Sequence, residues 1–439
     1  MAKKFRLYDN IRALAGDYAM MHKDVSWLTI MRNDEMIRGI RGLYDEEYFT
    51  VEILSSGTFG IEYKINSHEI EPFVVYYKLN DGEWTQMSFT GRDGSLYLNG
   101  EYINVSQGDK ILFKANRLDW KGEIVKDKYP NLDDRTEPIG FGGTAYFNVS
   151  GNIMSLIYGD NFIGRYDLPL NYNNECIKGT FEYLFMNAFY LVEAGNLVLP
   201  ANNFDDSRGD SDIYYWMFDG CLSLVSAPDL PSTNLCRGCY RQMFDACESL
   251  LSSPKILPAT TLATQCYYEM FYGCKSLLCH PQLPATTLAE RCYYGMFEGC
   301  SSIVETPILP ATTLAKECYS RMFAGCYSLV YAPELPATTL TEGCYAGMFM
   351  SCSSLTTAPT LPATTLVEKC YYYMFHLCTS LDYIKCLATD ISANDCFYNW
   401  VNSVQRNGTF VKDANTTWPT ATYNNNYTGI PSHWTIQNY

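Results

Sequence analysis

From Leu257 to Cys378 the apolar positions of the chain repeat at one fixed spacing of 26 residues. The hexapeptide Leu-Pro-Ala-Thr-Thr-Leu starts at Leu257, Leu283, Leu309, Leu335 and Leu361. Met270, Met296, Met322, Met348 and Met374 follow at the same interval, each ahead of a Phe. Two cysteine columns keep step, from Cys266 to Cys370 and from Cys274 to Cys378. A fixed period of this length predicts a solenoid, in which each unit buries its apolar face only against its neighbours. Counting the Phe that follows Met or Leu gives eight units: Phe185, Phe218, Phe244, Phe271, Phe297, Phe323, Phe349 and Phe375. A degraded ninth runs over Leu387–Trp400, and Leu199–Phe204 is a worn copy of the hexapeptide.

Within a unit, Ser-Leu-(two)-Ala-Pro after the second Cys predicts a short extended segment, because Pro removes a ladder donor and ends it. Stacked on its counterparts at about 4.8 Å, that segment makes a parallel ladder. After Leu of the hexapeptide, apolar residues fall at offsets 4, 8, 9 and 12, which predicts a few helical turns with Thr as N-cap. The slots that are constant from copy to copy (Leu, Pro, Ala, Cys, Met, Phe) are assigned to the core. The slots that vary are assigned to the surface, and they supply the candidate ligand-binding residues: Arg241, Tyr268, Glu269, Tyr294, Arg321, Tyr372 and Tyr373. A fixed frame with changing outward residues is the pattern of a recognition scaffold; neutral drift on a solvated face gives the same variation.

Ahead of the repeats the period changes. Tyr48–Leu54 and Thr58–Ile65 alternate apolar and polar residues, as half-buried strands do. Phe73–Leu79 and Trp84–Phe89 flank Asn80-Asp81-Gly82-Glu83, a hairpin signal in which Asp-Gly supplies positive φ. Ser95–Val105, Lys110–Ala115 and Thr144–Val149 complete an antiparallel β-sandwich. Residues 1–46 form an N-terminal attachment segment with a short helix near Tyr8–Met21; the sandwich takes 47–165 and the repeats 166–400. Short strands at Thr409–Lys412 and Trp434–Asn438 mark a C-terminal cap over 401–439.

The repeat motif resembles the BspA-like leucine-rich repeats of surface and phage-associated proteins from Bacteroides-type bacteria. Val149–Phe162 and Gly429–Trp434 are also similar to parts that accompany those repeats, so the resemblance spans roughly 149–439. It implies a mixed fold: the sandwich followed by a leucine-rich-repeat solenoid of short parallel strands and short helices, 26 residues per unit. It further implies a non-enzymatic adhesion protein. The expected role is a phage tail or fibre component that attaches to a bacterial surface glycan or protein and contacts other virion proteins. The alternatives are a structural virion protein packed against sister subunits, or a bacterial cell-surface adhesin.

Composition narrows this further. The net charge of −16 argues against nucleic acid as a partner, since phosphate binding draws on Lys and Arg. The 36 Tyr among 439 residues suit half-buried β surface or a Tyr-rich contact face. No run approaches the length of a membrane span, and Met1–Asn10 does not read as a secretory signal, so a reducing compartment is expected. Most of the 18 Cys fall in the two columns and read as buried free thiols. Cys236 and Cys239 form the one C-x-x-C. The Asp-rich insertion Asp205–Asp212 offers carboxylates for Ca²⁺, although its spacing does not match a calcium loop. It also contains Arg208-Gly209-Asp210, a match too short to use. No G-x-S-x-G, H-E-x-x-H or phosphate loop is present. Neither an enzyme nor a cofactor is expected.

Overall fold

A computed structural model describes residues 46–63, 75–87, 101–115, 139–166, 168, 180–200, 204 and 211–439. The helix expected near Tyr8–Met21 and most of the Asp205–Asp212 insertion lie outside the described residues.

The N-terminal region builds two sheets. The larger contains β1 (Phe49–Ile53), β3 (Val75–Leu79), β4 (Thr85–Met87), β6 (Lys110–Ala115), β8 (Phe147–Asn152) and β9 (Leu191–Val198), in the order β4-β3-β6-β1-β8-β9. The smaller contains β2 (Gly57–Tyr63), β5 (Glu101–Val105) and β7 (Ile139–Gly143), in the order β5-β2-β7. Alternation works as the sequence implies: β6 reads exposed–buried along its length, with Ile111, Phe113 and Ala115 inward. The sheets face each other across a Phe cluster. Phe59 of the small sheet lies 4.8 Å from Phe147 of the large one, and Phe141 lies 5.0 Å from Phe49. The large sheet is mixed rather than antiparallel, because β9 joins β8 in parallel from beyond the expected sandwich boundary. The β3–β4 hairpin forms, but the left-handed residue is Asn80, with φ 52°, rather than the Asp-Gly pair. Asn80 is tied on both sides, its N–H giving to Lys110 O and its Oδ1 accepting from Lys110 N–H.

The leucine-rich-repeat solenoid with short helices is not what the chain forms. Among the described residues the α-helix is α1 (Ser155–Tyr158), which lies outside the repeats. The run expected to be helical is a succession of four-residue turns. In one unit Tyr268 N–H gives to Gln265 O, Met270 to Tyr267, Tyr272 to Glu269 and Cys274 to Phe271. The intervening N–H groups point along the stack: Gln265 gives to Glu290 O, Tyr267 to Cys292, Glu269 to Tyr294, Phe271 to Met296 and Gly273 to Glu298. Each N–H in the run is therefore satisfied, alternately within its own unit and by the next, as a buried backbone requires.

Every fourth residue of that run has positive φ, at Gln265, Glu269 and Gly273 and at Lys369, Tyr373 and Leu377. A left-handed residue at this interval cannot belong to an α-helix. It rotates side chains so that two point in and two point out: Cys266-Tyr267 and Met270-Phe271 are buried, while Tyr268-Glu269 and Tyr272-Gly273 face outward. Each non-Gly residue held there costs about 1 kcal/mol, and the hydrogen bond its N–H makes to the next unit holds it in place. On the opposite side the parallel ladder consists of isolated bridges, Glu193↔Ser226↔Ser252↔Cys279 and later Thr357↔Tyr383. It widens into strands at the C-terminal end, where β10 (Tyr383–Lys385), β11 (Thr409–Lys412) and β14 (Thr435–Asn438) pair in parallel.

Two aromatic columns run through the stack. Phe185, Phe218, Phe244, Phe271, Phe297, Phe323, Phe349 and Phe375 succeed one another with ring centroids 5.1 to 5.9 Å apart. The second, from Tyr214 through Tyr240, Tyr267, Tyr293, Tyr319 and Tyr345 to Tyr371, runs parallel to it with centroids 5.4 to 6.2 Å apart. At one end Phe185 meets Phe49 and Phe141, so the Phe column grows out of the core between the two sheets. At the other, the fully buried Trp400 lies against both Tyr371 and Phe375 and is backed by Trp418.

The described cysteines are thiols. Those of the second column bind the frame together: Cys274 Sγ–H gives to Phe244 O at 3.1 Å, and Cys300, Cys326, Cys352 and Cys378 repeat the contact one unit on each time. Burial pushes these thiols well above the ordinary range, which leaves them inert as nucleophiles.

Candidate functional site

The two-in, two-out geometry turns the varying slots into adjacent outward rows on the turn face. One row reads Tyr215, Arg241, Tyr268, Tyr294, Ser320, Ala346, Tyr372, Tyr398, and beside it runs Trp216, Gln242, Glu269, Gly295, Arg321, Gly347, Tyr373. All seven candidates stand in these rows, and all are half-buried.

The structure brings four of them together. The Arg241 guanidinium lies between two rings, 5.1 Å from the Tyr215 centroid and 5.2 Å from that of Tyr268. Tyr268 in turn stacks on Tyr294 at 4.8 Å, with planes 3° apart. A cation between two π faces is held by the ring quadrupoles. Glu269 lies alongside, accepting from Gln242 Nε2 at 3.0 Å. Arg321 instead pairs with Glu298, its Nε giving to Oε2 at 2.8 Å and a second nitrogen to Oε1, a two-point contact that fixes the guanidinium. Tyr372 and Tyr373 form a separate group farther along, where Tyr372 stacks on Tyr398 at 5.2 Å and Tyr373 meets His376 edge-on at 5.1 Å. Ser320 and Ala346 separate the two groups by three units, about 14 Å at a ladder spacing of ~4.8 Å.

Stacking changes what the rows offer. Successive rings cover one another's faces, so the turn face presents ring edges and phenolic hydroxyls, interleaved with charged groups. Partial burial raises the pKa of Tyr268 and Tyr294, keeping their hydroxyls protonated as donors. Beside them lies a line of half-buried carboxylates. Burial raises Asp219 to about 6, and burial together with Asp219 and Glu269 raises Asp245 to about 7. Glu269 is raised by burial as well.

Tyr215, Trp216, Tyr398 and His376 complete these groups and were not among the sequence candidates. The first two sit in an early, irregular copy, where Met217-Phe218 was the available register signal. The buried Tyr column was likewise not assigned to the core, although Tyr267, Tyr293, Tyr319, Tyr345 and Tyr371 are as regular as the Met and Phe that follow them.

Other candidates offer less. Cys236 and Cys239 are both buried. Ser211 and Asp212 are the described end of the Asp-rich insertion, so the calcium expectation lies outside the described residues. Among those residues no group of three or more His, Cys, Asp and Glu is arranged to hold a metal ion. A hollow near the C-terminal end carries Asp390 and Asp413, whose Oδ1 atoms accept from Ser392 N–H and Asn415 N–H in local turns. No described helix is long and apolar enough to cross a membrane.

No family model, curated protein or solved structure matches this chain. Together with the absence of helices from the described repeats, this withdraws the resemblance to BspA-like leucine-rich repeats. The phage and virion associations that came with it are withdrawn as well.

Proposed function

We propose that this chain is a non-enzymatic binding protein that attaches to a surface glycan or protein through the outward rows of its turn face. The observation that carries this reading is the Arg241 guanidinium set between Tyr215 and Tyr268 with Tyr294 stacked beyond. Ring edges, hydroxyls and charged groups are there held in fixed positions on a rigid frame. Such preorganised groups lose little freedom on binding, and Tyr and Arg dominate the energetics of recognition surfaces. Because the frame residues are buried and constant, the outward rows can differ from unit to unit without cost to folding. Bacterial origin of the ligand, and virion or cell-surface location of the chain, drew on the withdrawn resemblance and have no support of their own in the fold.

Binding of the full chain to a glycan array and to immobilised surface proteins tests the proposal. Binding is expected to fall by roughly 30-fold in Arg241→Ala and in Tyr268→Ala, as loss of a ~2 kcal/mol anchor implies. Unchanged binding in both variants, with the fold intact, refutes the row as the contact surface. A second reading, packing against sister subunits, is favoured by one specific observation at the C-terminal end of the stack.

A further inference from the structure

The parallel ladder ends on an open edge. β14 pairs with β11 on one side, Thr435 opposite Thr409 and Asn438 opposite Lys412. Thr435 N–H gives to Gly408 O and Tyr439 N–H to Lys412 O. In a parallel pair alternate residues direct both backbone groups to the same neighbour, so Thr435, Gln437 and Tyr439 face β11. Ile436 and Asn438 therefore direct their N–H and C=O groups away from the sheet, where no described residue pairs with them. Every residue from Thr435 to Tyr439 is exposed, Ile436 at 52%.

Sheet edges are ordinarily protected by charge, Pro or a bulge. Thr435–Tyr439 has neither charge nor Pro in a chain of net charge −16, and its register with β11 is unbroken. We infer that β14 is a self-association edge, and that its occupant is β14 of a second copy of this chain, paired antiparallel about a two-fold axis at Gln437.

The geometry selects this partner. With the axis at Gln437, Ile436 falls opposite Asn438 of the partner subunit. These are the residues whose groups point outward, and such an antiparallel pair exchanges both N–H···O bonds. The outward set thus maps onto itself, the condition for an isologous interface. No charge is brought opposite a like charge within the strand pair. A four-residue strand covers little surface, so the association is weak and concentration-dependent.

Sedimentation velocity of the full chain from about 10 µM to about 1 mM, the range in which so small an interface associates, tests this. The expected result is a monomer–dimer equilibrium weakened at least tenfold by Ile436→Pro. That change deletes an outward donor and leaves the bonds to β11 in place. Asn438→Pro deletes the other outward donor and is expected to act alike. Burial of Trp434, whose Nε1 gives to Gln405 O, reports by fluorescence that the strand is intact in each variant. A chain that stays monomeric throughout the range overturns the inference. So does an association that both Pro variants leave unchanged while Trp434 remains buried.

Discussion

Phe323 sits in the middle of the Phe column, fully buried, with ring centroids 5.6 Å from Phe297 and 5.9 Å from Phe349 and planes within 8° of each. Phe323→Ala removes the ring and leaves a cavity between two units whose backbones stay bonded through Phe323 N–H and Met348 O. Truncating a buried Phe costs about 3–5 kcal/mol. Phe323→Leu keeps most of the volume but loses both ring–ring pairs, each worth about 0.5–1.5 kcal/mol, so it is expected to cost roughly 1–3 kcal/mol. In a stack whose units contact only their neighbours, weakening one unit also uncouples the two sides. Urea unfolding should therefore lose cooperativity in Phe323→Ala. Fluorescence from Trp216 on one side and from Trp400 and Trp418 on the other should report separate midpoints, assigned with single Trp→Phe variants. Coincident transitions with a loss below about 1 kcal/mol would refute the column as the coupling element.

Three further outcomes are expected. Asp245 is raised to about 7 when folded, against about 3.9 unfolded. The folded state therefore holds a proton that the unfolded state has lost, and stability falls as pH rises from about 4 to about 7. Thermal unfolding between pH 5 and 8 should show this slope, and Asp245→Asn should flatten it. Among the described thiols Cys279 alone is exposed, so in a Cys176→Ser background a disulfide reagent should modify one thiol quickly and the rest only on unfolding. Gly325→Ala is expected to cost about 1 kcal/mol through backbone strain, because Gly325 has φ 71° while an added Cβ meets Gly299 Cα at an ordinary 3.5 Å. Chemical denaturation measures it.

The strands between the sheets were legible because alternation at period two has no competing interpretation at that length. Lys110–Ala115 is found where its pattern ends. Ile139–Gly143 escaped, since three of its five residues are Gly and leave little pattern to read. The repeat itself was legible, but its secondary structure was not. Cys266, Met270 and Cys274 are four apart, and on a helix of 3.6 residues per turn that spacing drifts only 40° per step. Over so short a run a helix and a chain of turns bury nearly the same residues. Two features separate them. Tyr267 beside Cys266, like Phe271 beside Met270, puts neighbouring residues on the buried side at a strict interval of four. Gly295 and Gly299, four apart, would each cost a helix interior about 1 kcal/mol, yet both have positive φ in the structure. The outward rows were legible because the buried frame is constant, which left variation as the sign of exposure. Which of those residues touch one another was not, because Arg241 finds Tyr215 across a junction where the copies are irregular.

The turn-built stack is tested most directly by the unfolding free energy of Ser351→Gly. Ser351 has φ 64°, follows Gly273, Gly299 and Gly325 in its column, and gives its backbone N–H to His376 O. Glycine relieves the left-handed strain at such a position, so Ser351→Gly is predicted to be more stable than the parent by about 0.5–1 kcal/mol. In a helix interior the same change would destabilise by about 0.5 kcal/mol. A loss of stability in Ser351→Gly would contradict the account.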